Sequence, residues 1–299
     1  MPWQTQDFAA TSGPTPVRES PLGLAVRRIM RKRSSRVAFF VLGVMLLMGL
    51  FAPLVAPYDP AAQPDIVLQK SLPPSFAHPF GTDPYSRDVL SRVIYGARLS
   101  LMIGVLATIV SLTFGVAYGA IAGYAGGALD AVMMRVLDAF LSIPRLLLLI
   151  GVLAAWPAPG LSIGALVVFL GLTGWFGLSR IVRGQVLALK HAEFVTAAQA
   201  LGASRRRILW RHLLPNLVSP IVVAATLGVA HVIVLEAGLS YLGIGVPPPF
   251  ASWGNIILDG ADQVATLWWM SLFPGLFMVL TVMTLNILAE ALSEAHERR

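Results

Sequence analysis

Cysteine is absent from the 299 residues, which excludes a disulfide framework and any thiolate metal site. Charge is scarce. Asp, Glu, Lys and Arg make up 12% of the chain, about half the charged fraction of an ordinary soluble domain. The phosphate-cradling pattern GxxxxGK followed by Ser or Thr is missing, and the only lysines, Lys32, Lys70 and Lys190, lack a glycine-rich approach. The chain therefore has no loop of its own to cradle ATP. Five scattered histidines, His78, His191, His212, His231 and His296, fall at no metal-ligand spacing, so no metal site is expected.

What is present is apolar surface: 56% of residues are hydrophobic. Runs free of charge occupy 37–58, 99–129, 146–179, 212–235 and 263–289, each long enough for the ~20 residues of a spanning helix. Two prolines and a glycine in Trp156–Gly160 split the third run into spans at 139–156 and 161–179, so six membrane helices are expected. The first run is too long for a signal-peptide core and reads as a retained anchor. Internal repeats, the mark of an autonomous secondary transporter, are not evident. A cluster of acid, base and nucleophile at matching depth, which a membrane-embedded enzyme needs, is also missing.

Basic residues fall in three places. The tail carries Arg18, Arg27, Arg28, Arg31, Lys32, Arg33 and Arg36. A polar island at 180–216 carries Arg180, Arg183, Lys190, Arg205, Arg206, Arg207 and Arg211, and the chain closes on Arg298 and Arg299; together these are 16 of the 22 Lys and Arg. Six crossings put all three on one side, and the excess of positive charge makes that side the cytoplasm, with both termini there. The loop 239–267, with two aspartates and no basic residue, belongs outside. Topology thus accounts for the net charge of +7, and no nucleic-acid partner is implied.

These readings divide the chain into a cytoplasmic tail over 1–36, disordered to about residue 20 and then basic and amphipathic on anionic lipid over 22–36. A first helix with an external loop and elbow occupies 37–97, a transmembrane domain 98–292, and a short cytoplasmic tail 293–299. Val89, Val93, Ile94 and Ala97 share one helical face and predict the elbow helix. Asp138 lies three residues from Arg135, the spacing of a local ion pair. His231 and Glu236 stand toward the outer end of the fifth span, where an ionisable group faces a path or gate, or else caps the turn at Gly238. Trp253 and the run Pro247–Pro249 are expected on the outer surface, and Trp268 with Trp269 in an interfacial aromatic belt.

The island reads as a docking element. Small residues at Ala197, Ala198 and Ala200 permit close approach, Gly202 permits a turn between two short helices, and Pro215 closes the segment. Its spacing resembles the Glu-Ala-Ala loop of ABC importer permeases: the triplet, three residues, Gly, nine residues, then Ile-x-Leu-Pro. Ala197, Ala198, Gly202, Leu214 and Pro215 fall on that pattern; Thr196 and His212 depart from it, and Glu193 lies one turn before the missing acid. The stretches 78–104, 122–144, 236–257 and 273–292 resemble the C-type permease of the dipeptide, oligopeptide and nickel subfamily. Ser86 replaces a family Gly before Arg87-Asp88, and Ala289-Glu290 a usual Gly-Asp pair.

The resemblance implies an all-α membrane protein with the type I importer fold and no catalytic role, in the bacterial cytoplasmic membrane. It implies a second homologous permease, two cytoplasmic ATPase subunits that bind the ATP, and an external substrate-binding protein. The coupling surface would comprise Glu193, Ala197, Ala198 and Gly202, with Arg205, Arg206, Leu214 and Pro215 in support. The substrate would be a di- or oligopeptide, with nickel or another small solute as the alternative.

Overall fold

A computed structural model describes residues 30–155 and 162–297. The expected disordered tail, the start of the basic amphipathic segment, the turn at Trp156–Gly160 and the terminal arginines lie outside them. The regular elements among the described residues are helices, with one isolated antiparallel bridge between Thr82 and Asp88. The helices of seven residues or more are α1 (Arg33–Leu50), α2 (Val89–Ala125), α3 (Gly127–Leu141), α4 (Arg145–Ala154), α5 (Ile163–Leu189), α6 (Glu193–Ala200), α7 (Val218–Tyr241), α8 (Trp253–Asp259) and α9 (Trp269–Glu297). Five stretches are long and apolar enough to cross a membrane, and the bent pair α3 and α4 makes a sixth if the two together form one span.

The described part of 139–156 is not the single helix expected. It bends by 77° between α3 and α4. Pro144 explains the break: it brings no N–H to the helical ladder, and it disfavours the helical conformation at Ile143. The predicted elbow is not a separate helix either. Val89, Val93, Ile94 and Ala97 do share a buried face, but α2 runs through them unbroken for 37 residues. At 1.5 Å per residue it is about 55 Å long, well beyond the ~30 Å hydrocarbon core. The boundaries drawn at 36/37, 97/98 and 292/293 fall inside α1, α2 and α9.

Glycine sets the central packing. Gly115, Gly119 and Gly123 recur every four residues along α2 and face α5. A Cβ at Gly119 would lie 2.4 Å from the Ser179 carbonyl oxygen, and one at Gly115 would lie 2.7 Å from Leu178. From the other side, a Cβ on Gly171 would meet Val110 at 2.5 Å. Lipid tails are as apolar as leucine, so close van der Waals approach of the backbones, rather than water exclusion, holds such a pair together. α1 lies at the edge with Phe40, Leu47 and Leu50 turned outward.

At the end of the bundle away from the island, the loop before α2 is built on buried charge. Asp83 accepts from the backbone N–H of Tyr85 and Arg87 at 2.8 and 2.9 Å, from Arg87 Nε at 2.6 Å and from Arg92 Nη1 at 2.5 Å. Asp259 on α8 accepts from the same two arginines at 2.7 and 2.8 Å. Asp88 caps α2 through the Ser91 N–H at 2.7 Å and holds His78 Nδ1 at 2.9 Å. Trp253 is not on the outer surface: it is fully buried and donates to the Val93 carbonyl at 3.2 Å. Trp269 is also buried and donates to the Thr82 carbonyl, while Trp268 is exposed.

Two stability outcomes follow. Gly119→Ala forces a methyl group against backbone that cannot retreat, and should cost about 1–3 kcal/mol, read as a lowered unfolding midpoint of the purified protein; Gly43→Ala, with open space around it, should be neutral. Ser86 sits at φ +61 with its hydroxyl buried and without a hydrogen-bond partner among the described residues. Ser86→Gly removes both penalties and should raise stability by about 1 kcal/mol in the same measurement.

Candidate functional site

The island folds as a helix pinned to the bundle by one side. In α6, Val195 and Ala198 turn inward and pack with Val186, Ile208, Leu213 and Leu217. Glu193, Thr196, Ala197, Gln199 and Ala200 remain exposed. Ala198 is therefore internal packing rather than part of a contact surface. An i, i+3 pair on an eight-residue helix must face one way, and the larger side chain, Val195, chooses the core.

The expected hinge at Gly202 is a Schellman turn. The Gly202 N–H donates to the Gln199 carbonyl at 2.9 Å and the Ala203 N–H to the Ala198 carbonyl at 3.0 Å, with Gly202 at φ +77. These bonds satisfy two carbonyls that the helix end would leave bare. The turn thrusts Leu201 outward at 88% exposure, a residue the motif spacing passed over.

Past the turn, Ser204 caps the Arg207 N–H at 3.3 Å. The chain then runs as helix through Arg205–Arg207, as a wider π turn through Ile208–Leu213 and as a tighter turn through Leu214–Leu217, straight into α7. The second helix is thus the foot of α7, and Pro215 does not close the island. Proline has no N–H to give the ladder, so the ladder widens on one side of it, and Asn216 Nδ2 donates to the His212 carbonyl at 2.6 Å. Leu214 is half-buried in the core and Pro215 is exposed. Arg205 and Arg206 are exposed, and Arg206, Arg207, Trp210 and Arg211 line a shallow concavity of about 550 Å³. Trp210, 61% exposed, was also missed; an aromatic at a soluble-side helix foot was its only signal.

Two arginines of the island are spent internally. Arg183 grips Asp130 with Nε and Nη2 at 2.5 and 2.6 Å, and Arg180 pairs with Asp138. Asp138 therefore bonds across to α5 instead of to Arg135 on its own helix. The two pairs fasten α3 along the island end of α5.

The two residues expected at a path separate. His231 lines a cavity of about 290 Å³ between α2, α4, α5 and α7, together with Thr108, Ser111, Arg145, Gly174 and Gly228. Its Nδ1 lies 3.1 Å from the Leu227 carbonyl. Glu236 is fully buried and accepts from the Ser240 hydroxyl at 2.7 Å and the Ser100 hydroxyl at 3.2 Å. Ser240 in turn accepts the Val246 N–H at 3.0 Å. A carboxyl group removed from water keeps company with hydroxyl donors, and here they tie α7 to α2 and to the loop before α8. The bond expected to the backbone at Gly238 is not the one formed.

Comparison with known proteins places this geometry. The family described as the binding-protein-dependent transport system inner membrane component matches residues 115–299, and the N-terminal TM domain of oligopeptide transport permease C matches residues 20–74. The dipeptide transport system permease protein DppC of Bacillus subtilis is 40% identical over 272 residues, covering 91% of this chain and 83% of that protein. The oligopeptide transport system permease protein OppC of Bacillus subtilis is 38% identical over 271 residues, covering 91% and 87%. OppC of Haemophilus influenzae is 36% identical over 272 residues, covering 91% and 86%. Among solved structures, a chain of the MetNI methionine ABC transporter in inward-facing conformations matches in fold with a TM-score of 0.54 at 16% identity, over 67% of this chain and 96% of that one.

The clamp between α3 and α5 is open to test. Asp130→Asn should lower stability by about 1–2 kcal/mol, since a two-pronged charged bond is lost at a partly exposed position. Exchanging the two residues, Asp130→Arg with Arg183→Asp, should recover at least half of that loss in the unfolding midpoint.

Proposed function

The chain belongs to the family of binding-protein-dependent transport system inner membrane components, and we propose that it conducts di- or oligopeptides as one of two related permeases of an ATP-driven importer. It is a multi-pass protein of a bacterial membrane and a permease component. In the proposed assembly two cytoplasmic ATPase subunits bind the ATP, an external protein delivers the peptide, and the island faces the cytoplasm, on the side favoured by its basic residues. Loop 58–88 and the 242–267 segment then face the delivering protein. Peptide as the cargo is supported by two relatives, DppC of a dipeptide transport system and OppC of an oligopeptide transport system.

The observation that carries the coupling reading is the two-sided character of α6. Its inner side is packed into the bundle core through Val195 and Ala198, while Glu193, Ala197, Gly202 and Leu201 stand bare. A partner that moves the bare side moves the core with it, because the helix is stiff and the packed bundle has discrete arrangements rather than a continuum. Arg205 and Arg206 form a basic rim, and Leu214 and Pro215 hold the foot of α7 beneath it.

The test is direct. Gly202→Val places a β-branched residue at positive φ, where only glycine is at ease, and Leu201→Asp puts charge on the exposed tip. Each should cut peptide uptake by about tenfold or more and abolish stimulation of the ATPase, with the protein still present in the membrane at normal amount. Persistence of both activities in both variants sinks the coupling assignment.

A further inference from the structure

We infer that Arg145 is a fixed cationic site inside the bundle that receives the carboxylate of the passing substrate. The inference rests on the peptide reading above and adds a named contact to it.

Arg145 is the first residue of α4, just after the bend at Pro144. Its side chain crosses to α5, where Nη2 donates to the Leu170 carbonyl at 2.7 Å and Nε to the Thr173 hydroxyl at 3.3 Å. Both partners are neutral. Arg145 takes part in no ion pair among the described residues. A guanidinium has five N–H donors, so these bonds fix its plane and leave Nη1 and the second proton of Nη2 to a ligand. That free edge matches the two oxygens of a carboxylate.

The surroundings are made for such an occupant. The cavity of about 290 Å³ lies near the middle of α2, α5 and α7, at Thr108, Gly174 and Gly228. A charge at that depth is costly, and it persists where it serves a path. The Thr108 hydroxyl, buried in the same lining, has no hydrogen-bond partner among the described residues. Gly174 makes room for the guanidinium: a Cβ there would stand 2.9 Å from Nη2 and 2.3 Å from the Ser111 hydroxyl. A Cβ at Gly228 would crowd Thr108 at 3.2 Å. Among the described residues, His231 at the edge is the other titratable group of the lining, and no acid contributes to it. A peptide always carries one carboxylate at its C-terminal end, so a site of one sign at mid-depth suits the whole class without reading side chains.

Because the chain has no cysteine, the site can be probed with one introduced thiol. Gly177→Cys lines the cavity at a position where an added Cβ meets nothing within 4 Å. In membrane vesicles holding the complete transporter, this chain is labelled with a sulfonate-bearing or a trimethylammonium-bearing methanethiosulfonate. The anionic reagent should react faster. The ratio of the two rates should fall about tenfold when Arg145→Gln is added, the scale of one charge at short range in a partly hydrated site, and should be held by Arg145→Lys. A dipeptide that the transporter imports should slow labelling in the parent, and this protection should vanish with Arg145→Gln and return with Arg145→Lys. An unchanged ratio, or equal protection with and without the guanidinium, overturns the site. Failure of the unmodified transporter to import any peptide overturns the peptide reading instead, and is recorded by uptake rather than by labelling.

Discussion

The seam between α2 and α5 is the contact on which the rest of the structure depends. In lipid there is no water to expel from between helices, so attraction has to come from backbone lying against backbone. The glycines at 115, 119, 123 and 171 provide that approach. Everything functional hangs from the pair. α5 ends in the island and is gripped there by Asp130 and Asp138 of α3. α2 supplies Thr108 and Ser111 to the cavity and Ser100 to Glu236. The seam has no slack to absorb a side chain at these glycines.

The sequence made the class of fold plain, because a run of uncharged apolar residues long enough to cross a bilayer has few other uses. It also gave the turn at Gly202, since glycine after a short helix has a specific conformational reason. What escaped is what needs two distant segments at once. Arg180 and Arg183 read as solvated island charge until α3 is laid beside them. Trp253 and Trp269 read as interface residues, yet Val93 and Thr82 offer carbonyls that only the fold brings near. Glu236 drew notice as an ionisable group in an apolar span; that it sits among serines from α2 and α7 was beyond any one-dimensional reading.

Local rules failed most clearly around proline. Pro144 bent a span that hydropathy painted as straight, whereas Pro215 did not stop a helix it was expected to stop. The difference lies in what each neighbourhood offers the orphaned carbonyls. Around Pro215 the ladder widens into a π turn and Asn216 lends its amide to His212, so helix continues. At Pro144 the guanidinium of the next residue reaches across to α5 rather than back along the chain.

The length of α2 has a thermodynamic consequence. One uninterrupted helix begins at the Asp88 cap, beside the arginine and aspartate network of the loop, and ends at the glycine turn next to the fastened end of α5. A rod with both ends embedded in separate contacts makes those contacts a linked pair. Linkage is symmetric: if occupation of the island favours one posture of the loop network by some factor, occupation of the loop network favours the matching posture of the island by the same factor. Signals through such a helix have no preferred direction at equilibrium, and the sense of travel is supplied by whichever end is coupled to a spontaneous reaction.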